Sequence, residues 1–175
     1  LDRIEALVEP IDGVVLANRN HPTQGVISGS ESAVDAALAI LEAAGIPGRP
    51  IQVAAAFHSP LVAGATAPFA AALSDIRWTP PSIPVYANST AAPYGDAQLL
   101  VDQITSPVDF VGTIERMYAD GIRVFVECGP KGVLEKLVAE TLQGRDDVVI
   151  CSVDGLGDQV DGEVQWLSML STLAT

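Results

Sequence analysis

The residues best placed to do acid–base chemistry lie in the segment Val53 to Leu61, VAAAFHSPL. His58 falls where an apolar run gives way to a serine and a proline. Serine suits an N-cap and proline the first helical turn, so the spacing predicts a helix that opens directly after the histidine. A histidine at such a junction sits near the positive end of a helix dipole, which favours the neutral imidazole that a general base needs. The same pattern also fits an interfacial histidine that only ties two elements together. The second histidine, His21, precedes Pro22 in an expected turn, where exposure is more natural than catalysis. Two histidines and no clustered acids at ligand spacing argue against a catalytic metal. Cys128 and Cys151 each stand in apolar, strand-like runs without metal-ligand spacing. Both are expected to be small buried hydrophobes in a reducing cytoplasm. No G-x-S-x-G nucleophile elbow occurs, and the nearest string, Gly25 to Gly29 (GVISG), has a different spacing.

Periodicity supplies the elements that must position these groups. Val14 to Asn18 reads as a strand, with Asn18, Asn20 and His21-Pro22 as its turn, and Gln24 to Ser28 reads as a second strand. A helix follows, opened by Ser28 with Glu31 at capping-box spacing, with Val34, Ala37, Leu38 and Leu41 as its apolar stripe and Gly45 closing it. The apolar run Pro50 to Ala56 is expected to be the next strand. Strand, turn, strand, helix, strand is most of a βαββαβ, ferredoxin-like unit. Beyond His58 the pattern predicts an alanine-rich helix to Ser74, a strand Ile83 to Ala87, and helices over Ala97 to Ile104 and Pro107 to Asp120. Then come a strand Val124 to Cys128, a helix Gly132 to Gln143, a strand Val148 to Ser152 and a helix Gly162 to Leu173. Strands alternating with helices imply an α/β fold with a parallel sheet covered on both faces. The expected division is 1–57 for the smaller unit and 58–175 for the larger, with the acidic stretch Asp154 to Glu163 as a surface loop.

The chain has 175 residues, 49% hydrophobic and only 5% aromatic, so its core is built of Ala, Val, Leu and Ile. A net charge of -13 argues against nucleic acid and anionic membranes as partners, since both attract basic patches. No signal peptide or membrane-spanning run is evident, which implies a cytoplasmic protein.

Five ordered blocks carry a resemblance: VLANRNHPTQGVISG from Val15, AFHSP around His58, IPVYANST from Ile83, VDQITSPVDF from Val101 and RVFVECGPKGVL from Arg123. From about Ile11 to its end the chain resembles the C-terminal part of an acyl-CoA:acyl carrier protein transacylase. That family comprises malonyl transacylases and the acyltransferase domains of polyketide and polyunsaturated fatty acid synthases. The resemblance implies a ferredoxin-like small subdomain joined to the C-terminal part of an α/β-hydrolase-like large subdomain.

The resemblance also implies a reaction. An acyl group passes from coenzyme A to a serine, then to the phosphopantetheine thiol of an acyl carrier protein, with a histidine as base. His58 matches that histidine. Gln103 matches the residue whose main-chain carbonyl orients the ring, so its side chain is expected to matter little. Phe57 matches an acyl-pocket position and resembles the malonyl-type pattern HAFH, although Ala55 replaces its first histidine; excluding one methyl group there is worth about 1–3 kcal/mol. Asn18 and Asn20 match paired asparagines near the acyl-CoA entrance and are equally compatible with turn residues. Asn88 and Val133 match positions on the pocket wall. The family's serine stands in a GHSxGE elbow too far upstream to fall within the 57 residues before His58, so an N-terminal segment is expected to supply it. Without that segment the apolar faces of the last strands would lack covering, and the chain alone is expected to be poorly stable. No permanently bound cofactor is expected. The partners implied are the N-terminal segment, an acyl carrier protein and neighbouring synthase domains. The alternative is a non-catalytic module that docks carriers or neighbouring domains.

Overall fold

The structure is a computed structural model that describes residues 1–157 and 160–174. It is α/β, and its contacts divide it into two compact units, Leu1–Thr113 and Ile114–Thr175.

The first unit begins with helix α1 (Asp2–Val8), strands β1 (Val14–His21) and β2 (Gln24–Gly29), and helix α2 (Glu31–Ala43). The two strands form an antiparallel hairpin. Its core gathers Val8, Val14, Ala33, Ala37 and Leu41, with Ile4, Leu7, Ile27 and Val34 packed around them. Ala33, Ala37 and Leu41 recur every four residues, so one stripe of α2 faces the hairpin. Burying each large aliphatic side chain here contributes about 1.5–3 kcal/mol. The N-cap of α2 is Ser30, not Ser28: the Ser30 hydroxyl accepts from the Ala33 N–H at 3.3 Å. Ser28 is spent as a buried strand residue. Gly45, at φ +73°, ends the helix in a Schellman arrangement, with the Ile46 N–H bonded to Leu41 O and the Gly45 N–H to Glu42 O.

Asn18 and Asn20 are not turn residues. They belong to β1, whose pairing with β2 shifts between Leu16 and Asn18 and again between Arg19 and His21, and the turn itself is Pro22-Thr23. Such irregularities bend a strand and re-aim its side chains. The expected strand Pro50 to Ala56 does not form. Ile51 and Val53 are 55% and 60% exposed, and this run has no strand to pair with among the described residues. Apolar composition cannot make a strand without a ladder for its N–H and C=O groups.

After His58 the chain makes a 3₁₀ helix (Pro60–Ala65) and then α3 (Thr66–Ser74), in place of one continuous helix. A short hairpin follows, β3 (Tyr86–Ala87) with β4 (Ala92–Pro93). The strand expected from Ile83 starts only at Tyr86, with one further bond of the hairpin from the Tyr94 N–H to Val85 O at 2.8 Å. Helix α4 (Gln98–Asp102) is shorter than expected, and Val108–Asp109, expected to be helical, instead form β5, parallel to β1. Helix α5 (Phe110–Ala119) starts where the Asp109 carboxylate accepts from the Gly112 N–H at 2.9 Å. The sheet order is β2-β1-β5.

The second unit holds β6 (Val124–Pro130), α6 (Val133–Thr141), β7 (Val149–Asp154) and α7 (Gly162–Leu173). β6 and β7 are parallel, in register from Val124 with Val149 to Glu127 with Ser152, and α6 supplies the crossover that a parallel pair requires. Phe125, Val138, Leu142, Cys151 and Met169 are buried. Cys128 is exposed, contrary to expectation. It shares the alternate face of β6 with Val124 and Val126, which are exposed too. Cys151 is buried, and its thiol is pushed up by burial and, secondarily, by Glu135. The expected acidic loop is described except for positions 158 and 159, which lie outside the described residues. Parallel pairing therefore occurs in two separate places, β1 with β5 and β6 with β7, rather than in one continuous sheet among the described residues.

Candidate active site

His58 stands in the left-handed region, at φ +57°. For a residue with a Cβ that conformation costs about 1–2 kcal/mol, so the surroundings must hold it there. On one side Ser59, only 1% exposed, donates its hydroxyl to Ala56 O at 2.6 Å and accepts from the Leu61 N–H at 3.3 Å. Ser59 is thus the N-cap of the 3₁₀ helix, with Pro60 inside its first turn. On the other side the ring is tied down. His58 Nδ1 lies 3.2 Å from Gln103 O and 3.2 Å from Ser106 O.

A carbonyl oxygen can only accept, so both contacts require the proton on Nδ1. The neutral ring then carries its lone pair on Nε2, the tautomer suited to taking a proton. Both carbonyls are available for a local reason. α4 ends at Asp102 with Gln103 as its C-cap. In a continuing helix the Gln103 carbonyl would accept from the residue four positions on, which is Pro107, and proline has no N–H. Ser106, directly before the proline, is steered away from helical backbone. The Ser106 carbonyl is a contact that the sequence reading did not include. The signal was present in the spacing from Gln103 to Pro107.

The segment 103–109 is a hub. Its first half holds His58 through the two carbonyls. Farther on, Val108 pairs with Asn18 of β1, and the Asp109 N–H donates to Asn88 O at 2.6 Å. Three elements that contain residues singled out from sequence therefore converge on it. Asn88 itself is half-buried at the end of β3. Asn20 is half-buried and donates its side-chain N–H to Gln24 Oε1 at 3.3 Å. Phe57 is 56% exposed beside His58. Among the described residues no hydrogen bond joins Asn18, Asn20, Asn88 or Phe57 to the His58 ring. Val133, 53% exposed, opens α6 in the second unit. His21, which the sequence placed at the surface, is half-buried, and its Nδ1 accepts from the Thr23 N–H at 3.4 Å.

Tyr94 was also missed. It follows β4 and donates its hydroxyl to the Gln103 side-chain oxygen at 3.2 Å. Among the described residues no group of three or more His, Cys, Asp or Glu could hold a metal ion, and no helix is long and apolar enough to cross a membrane.

The profile of the acyl transferase domain family matches residues 1–172. The chain is 36% identical over 156 residues to a polyunsaturated fatty acid synthase polypeptide of a Thraustochytrium species, an alignment covering 87% of this chain and 6% of that protein. Its structure is similar to the acyltransferase domain from the second module of the salinomycin polyketide synthase, with a TM-score of 0.88 at 29% identity over 99% of this chain and 41% of that one. It is also similar to the malonyl CoA-acyl carrier protein transacylase of Clostridium perfringens, with a TM-score of 0.82 at 25% identity over 99% of this chain and 54% of that one. The chain thus spans a small fraction of the synthase and about half the length of each solved relative. The fold is the one the resemblance implied, a ferredoxin-like small subdomain with the C-terminal part of an α/β-hydrolase-like large subdomain. The chain belongs to the acyl transferase domain family.

Proposed function

We propose that this chain is the part of an acyltransferase that carries the general base, and that it moves a malonyl-type unit from coenzyme A to the phosphopantetheine thiol of an acyl carrier protein. The observation that carries the reading is the His58 ring, held through Nδ1 by two main-chain carbonyls at 3.2 Å. The nucleophile is a serine in a segment outside these 175 residues, which contain no G-x-S-x-G. The 1–57 stretch corresponds to the small subdomain and 58–175 to its larger partner. No resident cofactor takes part: acyl-CoA and the carrier's phosphopantetheine are substrates.

In this mechanism His58 Nε2 takes the serine proton as the serine oxygen attacks the thioester carbonyl. The tetrahedral intermediate collapses, the carbon–sulfur bond breaks, and Nε2 returns the proton to the departing coenzyme A thiolate. The carrier thiol then gives its proton to Nε2, attacks the acyl-serine and forms the new thioester, and the serine oxygen leaves with that proton. The carbonyls of Gln103 and Ser106 hold the ring and stabilise the imidazolium formed in each half. Phe57, Asn18, Asn20, Asn88 and Val133 are proposed to contact the substrate, with Phe57 favouring an unbranched acyl unit by its bulk.

The test is acyl transfer from malonyl-CoA to a carrier protein by the acyltransferase containing this chain and the serine-bearing segment. His58→Ala is expected to lower kcat about 10²–10⁴-fold, the range for losing a general base. Undiminished transfer would sink the reading. A folded assembly that binds the carrier but takes no acyl group would favour the docking module instead.

A further inference from the structure

We infer that Tyr94 is a positioning residue for His58, acting through Gln103. The inference rests on the reading of His58 as the base. Orienting the ring through carbonyls alone leaves a weakness. The two acceptors lie at and beyond the end of α4, a helix of only five residues, in a turn held by the Ile104 N–H on Val101 O at 3.2 Å and the Thr105 N–H on Asp102 O at 3.3 Å, bonds that leave the Gln103 and Ser106 carbonyls free. A small rotation of the Gln103 and Ser106 peptides would turn both oxygens from Nδ1 and remove the preference for the tautomer with a free Nε2.

Three contacts resist that rotation. The Ser106 hydroxyl and the Ser106 N–H both bond to Asp102 O, at 2.7 Å and 3.2 Å, and so tie the end of the turn to the helix. The Gln103 side chain is tied from outside, by the Tyr94 hydroxyl at 3.2 Å. Tyr94 is itself well placed to serve as a post. Its N–H bonds to Val85 O at 2.8 Å, which anchors its backbone to the β3–β4 hairpin. Its ring lies against Trp78, with centroids 6.5 Å apart and planes inclined at 53°, the tilted geometry that aromatic pairs favour. A tyrosine on an aromatic support loses little side-chain freedom when it makes this bond, so it is a stiff connection. The chain of contacts runs from Trp78 to Tyr94, to the Gln103 side chain, to the Gln103 carbonyl and to His58 Nδ1. All five groups lie within the first unit. The Gln103 side chain, expected to be dispensable, thereby acquires a role as the handle of its own carbonyl.

The experiment uses the same acyltransferase assembly with Tyr94→Phe, Gln103→Met and the double variant. Tyr94→Phe keeps the ring and removes only the hydroxyl. It is expected to lower kcat about tenfold, with KM for malonyl-CoA within about twofold, as befits loss of one hydrogen bond that acts on the base rather than on substrate binding. Gln103→Met should match it, and the double variant should be no slower than either single one, because one contact is being removed twice. The readout a structural role would not move is the tautomer. Nitrogen-15 shifts of the His58 ring should show the Nδ1–H form dominant in the parent and a growing Nε2–H form in Tyr94→Phe. Native kcat, or a kcat loss with the parent tautomer pattern and a lower melting temperature, would overturn the inference. His58→Ala separates the two ideas: if it transfers normally, the base assignment fails, whereas if it is inactive while Tyr94→Phe is native, only the role of Tyr94 fails.

Discussion

Among the described residues, two places force a residue with a side chain into the left-handed region just ahead of a helix, and they solve the problem in opposite ways. At the first, His58 (φ +57°) is fastened by its own side chain, whose ring reaches two carbonyls from another element. At the second, Lys131 (φ +75°) is exposed and its side chain makes no hydrogen bond among the described residues, while its backbone N–H bonds to Asp154 O at 2.7 Å. There the fastening comes from a neighbour. Gly132, the N-cap of α6, has no side chain with which to cap, and the Glu127 carboxylate does it from β6 by accepting from the Val133 N–H at 3.2 Å and the Glu135 N–H at 2.7 Å. The carboxylate also complements the positive end of the helix dipole. The difference separates a turn that exists to aim a side chain from one that exists to start a helix.

Replacing each strained residue with glycine exposes that difference most sharply. His58→Gly relieves the backbone and removes the ring, so acyl transfer in the whole enzyme should fall at least about 10²-fold while thermal stability holds. Transfer within a few fold of the parent would erase the contrast. The next largest effect should come from the second turn's fastener. Glu127→Ala is expected to cost about 0.5–2 kcal/mol of stability, the range for losing an N-cap, measured by denaturant unfolding. If Glu127→Ala unfolds at the parent's midpoint, the carboxylate is not what holds α6.

How these two turns stood in the sequence explains what could be read there. The Ser59-Pro60 signal predicted a helix opening directly after His58, and a helical turn does start there, while Gln103 came from the family resemblance and its carbonyl lies 3.2 Å from the His58 ring. The last four elements were legible too: β6, α6, β7 and α7 fall within two residues or so of the expected limits. The Pro50 to Ala56 run failed because strand formation depends on a partner, and no property of seven consecutive residues reports one. Cys128 failed similarly, since its burial depends on what covers one face of β6. Glu127 was invisible because its capping bonds reach six and eight residues on and across a change of element, a spacing no capping box uses. Pro107 was legible in principle, as the residue that leaves the Gln103 carbonyl without a helical donor.

A smaller effect is expected at Lys131. Lys131→Gly relieves the left-handed backbone but loosens the unfolded chain, so the two terms nearly cancel. Stability should be unchanged or higher by up to about 1 kcal/mol, with acyl transfer within twofold of the parent. A clear loss of transfer would show that Lys131 does more than turn the chain and would break the division of labour between the two turns.

The smallest effect belongs to a cluster in the second unit that holds the chain on either side of β6. The guanidinium groups of Arg123 and Arg145 both stand over the Tyr118 ring, their central carbons 3.8 Å and 4.0 Å from its centroid. Its hydroxyl donates to Asp147 at 2.9 Å, and Arg123 Nε donates to the same carboxylate at 2.7 Å. The bond to Tyr118, and next to it the Arg123 contacts, hold the Asp147 carboxyl below its ordinary value of 3.8. The same bond to Asp147 holds the Tyr118 hydroxyl above its ordinary 10.0. For Asp147 the folded value is the lower one, so its contribution is present above the ordinary value and is lost as pH falls through the folded one. For Tyr118 the folded value is the higher one, so its contribution is complete below the ordinary value and is lost as pH rises through the folded one. The parent should therefore lose slightly more melting temperature than Asp147→Asn between about pH 7 and pH 3, and slightly more than Tyr118→Phe between about pH 9 and pH 11. Because the Asp147 carboxylate is exposed, added salt should shrink the acid-side difference, whereas the His58 ring, fastened by main-chain carbonyls instead of charges, should keep its tautomer at any ionic strength.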